Sequence, residues 1–362
     1  MADFASVVKG AHKAQSPSIQ PSASASQQQH QEYQERHQTR NQSHHHHHGR
    51  EGSSRNRDHL PLSPPGLHAQ LRRVDCGVNY ASHKYSADAI AGILKEAKAG
   101  GVEAVLCISN SIPEVRRNVE LALTFAMPVG AALSAPNHAL FFFTCGCHPH
   151  HAKEFKGEKD VQFLRAQLLA HPLSCVAVGE CGLDYNRNFS PPEVQRDVFR
   201  RQIRLAKELR KMMYLHCRDA FGDFVAILRE EGYTRGIVHC FTGTLEEAQV
   251  FVDMGFKLGV TGFLLDRRRN AATARAIAHP SIPLESLIVE TDAPFMAVYP
   301  RRSSRPEDTA LVLEEIARLK GMDIEVCAQR IYETTMAFIL SSREESVQEP
   351  DVLAPNSVGS TA

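Results

Sequence analysis

The sequence has no net charge, no cysteine pair of the C-x-x-C type and no long apolar run. Lysine plus arginine and aspartate plus glutamate number 41 each, so any nucleic-acid site must be a local patch. The nine scattered cysteines favour reduced, buried thiols over a disulfide framework. No stretch approaches the ~18 apolar residues of a membrane span, and the N-terminus lacks a signal-peptide core. These absences predict an intracellular protein that does not cross a membrane.

Aliphatic residues are scarce at both ends of the 362-residue chain. Residues 1–71 and 341–362 are polar sequence that cannot bury enough apolar surface to offset chain entropy, so both are predicted to be disordered. Residues 72–340 are predicted to form one folded domain. Within it, residues 127–140 fit neither helix nor strand and are predicted as a surface loop.

Short apolar segments alternate with amphipathic helical patterns in the predicted domain. This alternation is typical of βα units around a parallel sheet, and eight segments indicate an α/β fold of the (β/α)8 TIM-barrel type. An open doubly wound sheet is the alternative, but the first segment lacks a glycine-rich turn after it. The predicted strands cover residues 73–76, 104–108, 141–145, 175–178, 212–215, 236–238, 256–260 and 287–289.

Carboxylates or imidazoles follow six of these eight segments. A single histidine is more often structural than a ligand, but the C-terminal ends of barrel strands converge on one cavity, which reverses that expectation. A set of His, Asp and Glu without thiolate pairs suits a divalent metal with open positions for water and substrate. The groups are Asp75, His148, His150, Glu180, His216, His239, Glu290 and Asp292.

Glu180 follows an apolar β-branched run and a glycine, so it is predicted as the last side chain of the fourth strand. It is suited to bridge two ions, while His216 and His239 bind through neutral imidazole nitrogens. Asp292 is predicted to orient or deprotonate the attacking water. One ion, or a pair ~3.5–4 Å apart, can lower the pKa of bound water and offset charge on a phosphoryl or carbonyl oxygen. The predicted metal ligands are Glu180, His216, His239 and Asp292.

Seven motifs in this order resemble the TatD family of metal-dependent nucleases, part of the amidohydrolase-like barrel superfamily. The resemblance covers residues from about 73 to 340. The motifs are DCGVN at 75–79, GCHPHH at 146–151, GECGLDYNRNFS at 179–190, LHCRDA at 215–220, HCFTGT at 239–244, GVTGF at 259–263 and ETDAPF at 290–295.

The resemblance implies a 3′-to-5′ exonuclease that acts on DNA, preferably at single-stranded ends, with RNA as a further substrate. It implies a role in DNA repair or DNA degradation, and one or two divalent ions per chain, Mg²⁺ first and Mn²⁺ or Zn²⁺ as alternatives. Glu180, His216 and His239 fall on the principal metal ligands of the family, and Asp292 on its strand-eight acid. His148 and His150 fall on a loop that meets the scissile phosphate, and we count His150 among the catalytic residues.

The first motif departs from the pattern of many family members. They begin with Asp-x-His-x-His, whereas Gly77 and Asn79 stand at the corresponding positions here. This form is typical of the bacterial TatD subgroup. It leaves the occupancy of a second metal position open.

Arginines near the predicted rim are candidates for phosphate contacts, because their planar fork matches phosphate oxygens. Solvated surface arginines are the alternative interpretation. Tyr185, Phe189 and Phe241 are either base-stacking or core residues. The predicted phosphate-binding arginines are Arg187, Arg218, Arg301 and Arg302.

Two other functions remain open at this point. One is a metal-dependent hydrolase of another ester or amide on the same barrel, since a fold does not fix a function. The other is a catalytically weakened nucleic-acid-binding protein, suggested by Gly77 and Asn79. A cytoplasmic location is expected, with the nucleus or an organelle as alternatives.

Overall fold

The computed structural model describes residues 67–82, 85–125, 137–298 and 301–344. The terminal segments predicted to be disordered therefore lie largely outside the described residues, as does most of the predicted loop at 127–140. At the inner edges of the terminal segments the structure differs from the prediction, because helices cover Leu67–Gln70 and Ile324–Glu344. No helix among the described residues is long and apolar enough to span a membrane.

Eight parallel strands form one sheet in which each strand pairs with the next along the chain. Val78 at the end of the first strand forms a parallel bridge with Ala293 after the eighth, which nearly closes the sheet into a barrel. The predicted (β/α)8 fold is confirmed. The strands are β1 (Arg73–Val78), β2 (Val102–Cys107), β3 (Leu140–Cys145), β4 (Cys175–Asp184), β5 (Met212–Arg218), β6 (Gly236–Val238), β7 (Lys257–Val260) and β8 (Leu287–Val289).

Helices cover the outside of the sheet, and two of them begin at side-chain caps. Ser86 caps one helix by accepting from the Ala89 N–H, and Thr244 with Glu247 forms a capping box. Short 3₁₀ helices cover Pro149–Glu154, Gly262–Leu265, Leu284–Ser286 and Pro306–Asp308. The α-helices are α1 (Leu67–Gln70), α2 (Ala87–Ala99), α3 (Ile112–Phe125), α4 (Glu158–Ala170), α5 (Pro192–Glu208), α6 (Phe221–Glu231), α7 (Leu245–Asp253), α8 (Ala271–Ala278), α9 (Thr309–Lys320) and α10 (Ile324–Glu344).

A buried arginine lies at the N-terminal end of the barrel. Arg73 is 2% exposed, and its guanidinium donates to the carbonyl oxygens of Leu71 and Gly100 and to the Thr309 hydroxyl. Burial lowers the pKa of Arg73 to about 10. Arg73 therefore ties the start of β1 to Gly100 before β2 and to Thr309 at the start of α9, and the candidate site lies at the opposite end of the barrel.

Candidate metal centre

The sequence predicts Glu180 at the end of the fourth strand, but Glu180 lies inside β4. The strand pairing skips this residue: Gly179 pairs with Tyr214 and Cys181 with Leu215. The Glu180 N–H donates to the Ser109 carbonyl at 2.9 Å, so this bulge is tied to the segment after β2. The strand continues to Asp184, and the bulge directs the 4%-exposed Glu180 carboxylate into the barrel.

His216 lies between two carboxylates. Its Nδ1 is 2.9 Å from Glu180 Oε1, and its Nε2 is 3.3 Å from Asp184 Oδ2. Burial lowers the pKa of His216, but hydrogen bonds to Asp184 and Glu180 outweigh this effect and raise it. For the Glu180 carboxyl, burial acts in the other direction and raises the pKa. The charges of His148 and His239 and the hydrogen bond from His216 outweigh burial, so the pKa of Glu180 lies well below its ordinary value. Glu180 is therefore a carboxylate at neutral pH.

His148 completes a group with Glu180 and His216 in which one ligand atom from each residue lies within 4.8 Å of the others. However, His148 Nδ1 accepts a hydrogen bond from the His150 N–H at 3.1 Å. Burial lowers the pKa of His148 well below its ordinary value, so a neutral ring must carry its proton on Nε2, 3.5 Å from Glu180 Oε1. This arrangement favours His148 as a hydrogen-bond donor over His148 as a metal ligand.

A second pair of candidate ligands is formed by His239 after β6 and Asp292 after β8. His239 Nε2 lies 3.6 Å from Asp292 Oδ1, which also accepts from Asn79 Nδ2 at 2.7 Å. Burial raises the pKa of Asp292 to about 6, with an opposing effect from His239. Burial lowers the pKa of His239, but the Glu290 and Glu180 carboxylates outweigh the effect of burial and raise this pKa to about 10. Both pairs lie on the side of the sheet where the parallel strands end, and in a barrel these strand ends face one cavity.

The family model described as TatD related DNase matches residues 74–339. The chain belongs to the TatD family. A protein named 3′-5′ ssDNA/RNA exonuclease TatD from Citrobacter koseri is 34% identical over 257 residues, which are 69% of this chain and 92% of that protein. A protein of the same name from Escherichia fergusonii is 35% identical over 257 residues, again 69% and 92% of the two chains.

Solved structures of TatD proteins have the same architecture. YJJV, a TatD homologue from Escherichia coli, has a TM-score of 0.66 and 26% identity, covering 75% of this chain and 98% of that chain. A TatD family hydrolase from Entamoeba histolytica has a TM-score of 0.65 at 23% identity, covering 74% and 98%, and supports the fold alone. The resemblance of the sequence motifs to this family is thereby confirmed.

The residues of this TatD barrel fit a divalent metal by donor type and by spacing. Donors that share one ion at ~2.1 Å lie ~3.0–3.4 Å apart. The Glu180–His216 separation of 2.9 Å and the His239–Asp292 separation of 3.6 Å are both close to this range. Imidazole and carboxylate donors in a buried cavity are the ligands that divalent ions bind in hydrolases.

Asp184 was missed by the sequence reasoning. It is 1% exposed, and its Oδ2 lies 2.8 Å from His150 Nε2 as well as 3.3 Å from His216 Nε2. Its Oδ1 accepts the backbone N–H groups of Asn186 and Arg187 at 3.0 Å each. The available signal was the even spacing from Glu180 along one strand, which places both carboxylates on the same face.

The rim aromatics and arginines occupy different environments. Phe241 is buried in the core, and the half-buried Tyr185 packs against the core while its hydroxyl donates to Asp223 at 2.7 Å. Phe189 is 54% exposed, with its ring centroid 4.8 Å from that of His150. Arg301 pairs with Asp308 within its own loop. The predicted arginines with exposed side chains are Arg187, Arg218, Arg301 and Arg302.

Proposed function

We propose that this chain is a metal-dependent exonuclease that removes nucleotides from the 3′ ends of single-stranded DNA and RNA. The observation that supports the proposal is a pair of His–carboxylate contacts, Glu180 with His216 and His239 with Asp292, in a TatD barrel. The proposed activity agrees with the name of the curated relatives. A role in DNA repair or DNA degradation and a cytoplasmic location stay predictions.

In the proposed reaction, the four proposed ligands would hold the metal, and Asp292, His148 and His150 would act on the water and the substrate. A bound divalent ion lowers the pKa of water and offsets charge on the phosphoryl group. Asp292 takes the proton of the attacking water, with its carboxylate oriented by the hydrogen bond from Asn79 Nδ2 to Oδ1. His148 donates a hydrogen bond from Nε2 to a phosphate oxygen, and His150, oriented by Asp184, would contact the same phosphate.

The metal is predicted to be Mg²⁺, but the donor set supports a wider choice. Oxygen-rich octahedral sites are typical of Mg²⁺, whereas two imidazoles with two carboxylates also suit Mn²⁺ and Zn²⁺. The two ligand pairs allow one or two ions. Activity measured with each ion after removal of bound metal will decide among them.

Single-stranded ends are the proposed substrate because exposed aromatic rings lie on both sides of the site. Phe189 after β4 and Phe295 after β8 are 54% and 60% exposed, and these strands stand opposite each other in an eight-stranded barrel. Bases of a single strand can stack on such rings, whereas paired bases cannot. We expect duplex ends to be cut more slowly than single-stranded ends.

The test is digestion of end-labelled single- and double-stranded DNA and RNA with Mg²⁺, Mn²⁺ or Zn²⁺. A ladder that shortens from the 3′ end is expected, and Glu180→Ala is expected to lose at least ~100-fold in rate, more than either single histidine variant. We expect this magnitude because Glu180→Ala removes both a proposed metal ligand and the buried carboxylate that pairs with His216. Glu325→Ala on the exposed face of α10 is the control and retains activity.

Three results would change the proposal. No cleavage of any nucleic acid with any of the three ions would reject it. Internal cleavage would replace it with an endonuclease. Turnover of acyl esters or amides in place of phosphodiesters would favour another hydrolase on the same barrel.

A further inference from the structure

Tyr214 lies on β5, two residues before His216. Its hydroxyl bonds to His239 after β6 and to Glu290 after β8. Tyr214 is fully buried in β5, and its hydroxyl donates to Glu290 Oε2 at 2.7 Å. The same oxygen is 2.6 Å from His239 Nδ1. Because a phenol has one proton, donation to Glu290 leaves its lone pairs to accept the Nδ1–H of His239.

Glu290 adds a second acceptor for the same nitrogen of His239. This fully buried carboxylate accepts the Cys240 N–H through Oε1 at 2.6 Å, and Oε1 also lies 3.0 Å from His239 Nδ1. Two acceptors on Nδ1 keep its proton there when the ring is neutral. The Nε2 lone pair is then left on the side of Asp292, where it can bind a metal.

Two glycines provide the space for this arrangement. A Cβ atom at Gly77 in β1 would lie 2.4 Å from the Tyr214 hydroxyl oxygen and 3.1 Å from Glu290 Oε2. A Cβ atom at Gly259 in β7 would lie 2.4 Å from Glu290 Oε1. Tyr214 and Glu290 therefore occupy the volume that side chains on the two strands beside β8 would need.

We propose that Tyr214 and Glu290 are positioning residues that hold His239 with Nε2 facing the metal, and that Tyr214 and Gly77 form a matched pair. The absence of a side chain at Gly77 is then required by the Tyr214 hydroxyl, which takes its place next to Glu290. The role of His239 as a ligand rests on the proposed function. The steric pairing of Gly77 with Tyr214 does not.

The first test measures binding of Mn²⁺ alone, without substrate, by titration calorimetry of the metal-free full chain. Tyr214→Phe removes only the hydroxyl and is expected to weaken binding about 10- to 100-fold, as loss of a residue that orients a ligand does. Tyr233→Phe is the matched control. Tyr233 donates to the Lys211 carbonyl just before β5, at the other end of the barrel, and its loss leaves binding unchanged.

Glu180→Ala retains the five histidines at 44–48 and gives the binding that is independent of the site. Equal affinity of the wild type and Tyr214→Phe for the Mn²⁺ that Glu180→Ala does not bind would overturn the positioning role. If the wild type binds Mn²⁺ but cuts no nucleic acid, the proposed function fails while the positioning role is still decided by the comparison of affinities. If the wild type binds none of Mn²⁺, Mg²⁺ and Zn²⁺, both the proposed function and the positioning role fail.

The second test needs no metal. Gly77→Ala forces a methyl group against the Tyr214 hydroxyl, so it is expected to lower the Tm of the metal-free protein by roughly 2–10 °C. In the Tyr214→Phe background the same substitution meets no hydroxyl and lowers Tm by clearly less. The same decrease in both backgrounds would overturn the pairing, whatever the metal measurements give.

Discussion

At the scale of single residues, the site depends on carboxylates that orient histidines. Asp184 contacts His150 at 2.8 Å and His216 at 3.3 Å through the same oxygen. Burial raises its pKa, but the bonds from His150 and His216 hold it well below the ordinary value. Asp184 is therefore charged at neutral pH, and one buried charge fixes one proposed ligand and one proposed catalytic ring.

Asp184→Asn tests this role. The amide keeps an oxygen for the N–H groups of Asn186 and Arg187, so we expect the fold to persist while activity falls about 10- to 100-fold. Steady-state kinetics and metal titration will show the loss in kcat and in metal affinity. Asp197→Asn, which removes a carboxylate paired with Arg201 on the surface of α5, is the control. Unchanged kinetics and affinity in Asp184→Asn would contradict the orienting role.

Phe189 tests the single-strand preference. Replacing its exposed ring by Ala is expected to raise KM for single-stranded DNA by the equivalent of about 1–3 kcal/mol, the value of stacking one base. Phe189→Tyr keeps a ring and should restore the wild-type KM. Leu169→Ala on α4 removes a similarly exposed apolar side chain and should have no effect. A KM in Phe189→Ala equal to that of the wild type would exclude stacking at this position.

At the scale of elements, β4 decides the geometry of the site. Gly179 and Gly182 have φ values of +147° and +144°, and a Cβ atom at Gly182 would lie 2.0 Å from the His216 carbonyl oxygen. Only glycine permits β4 and β5 to approach this closely on both sides of the Glu180 bulge. The close approach brings Glu180 and Asp184 to the two nitrogens of His216.

Gly182→Ala is expected to lower the free energy of unfolding by at least ~1–3 kcal/mol, because its backbone conformation and its contact both exclude a methyl group. Gly92→Ala is the control, since a Cβ atom there meets nothing within 4 Å. Gly92 is exposed in the middle of α2, so the substitution should raise the free energy of unfolding by ~0.5–1 kcal/mol. Urea unfolding of the three proteins gives the comparison. Equal stability of Gly182→Ala and wild type would contradict the tight pairing of β4 with β5.

The strand count could be predicted from the sequence, but this bulge could not. Eight apolar segments gave the barrel because each βα unit has its own local pattern. The sequence predicts Glu180 as the last side chain of its strand, since local sequence does not distinguish a strand end from a bulge held by a neighbouring segment. The contact of Asp184 with His216 depends on that pairing, and the contact of Tyr214 with Glu290 depends on closure of the barrel, so the local sequence predicts neither.

At the scale of the whole molecule, the proposed ligands come from β4, β5 and the segments after β6 and β8, so they meet only in the closed barrel. The Val78–Ala293 bridge joins the last of these segments to β1. Metal binding should therefore stabilise the entire folded domain and not one loop, because the unfolded chain does not contain the site.

We accordingly expect the Tm of the metal-free protein to rise with Mn²⁺ concentration, by roughly 5–10 °C at ~100 times Kd, and EDTA to reverse the rise. The five consecutive histidines at 44–48 could bind metal in both folded and unfolded chains, which would reduce the shift. Glu180→Ala retains this run and loses a proposed ligand, so it separates the two sources of binding. The same Tm increase in Glu180→Ala and wild type would remove Glu180 from the ligand set.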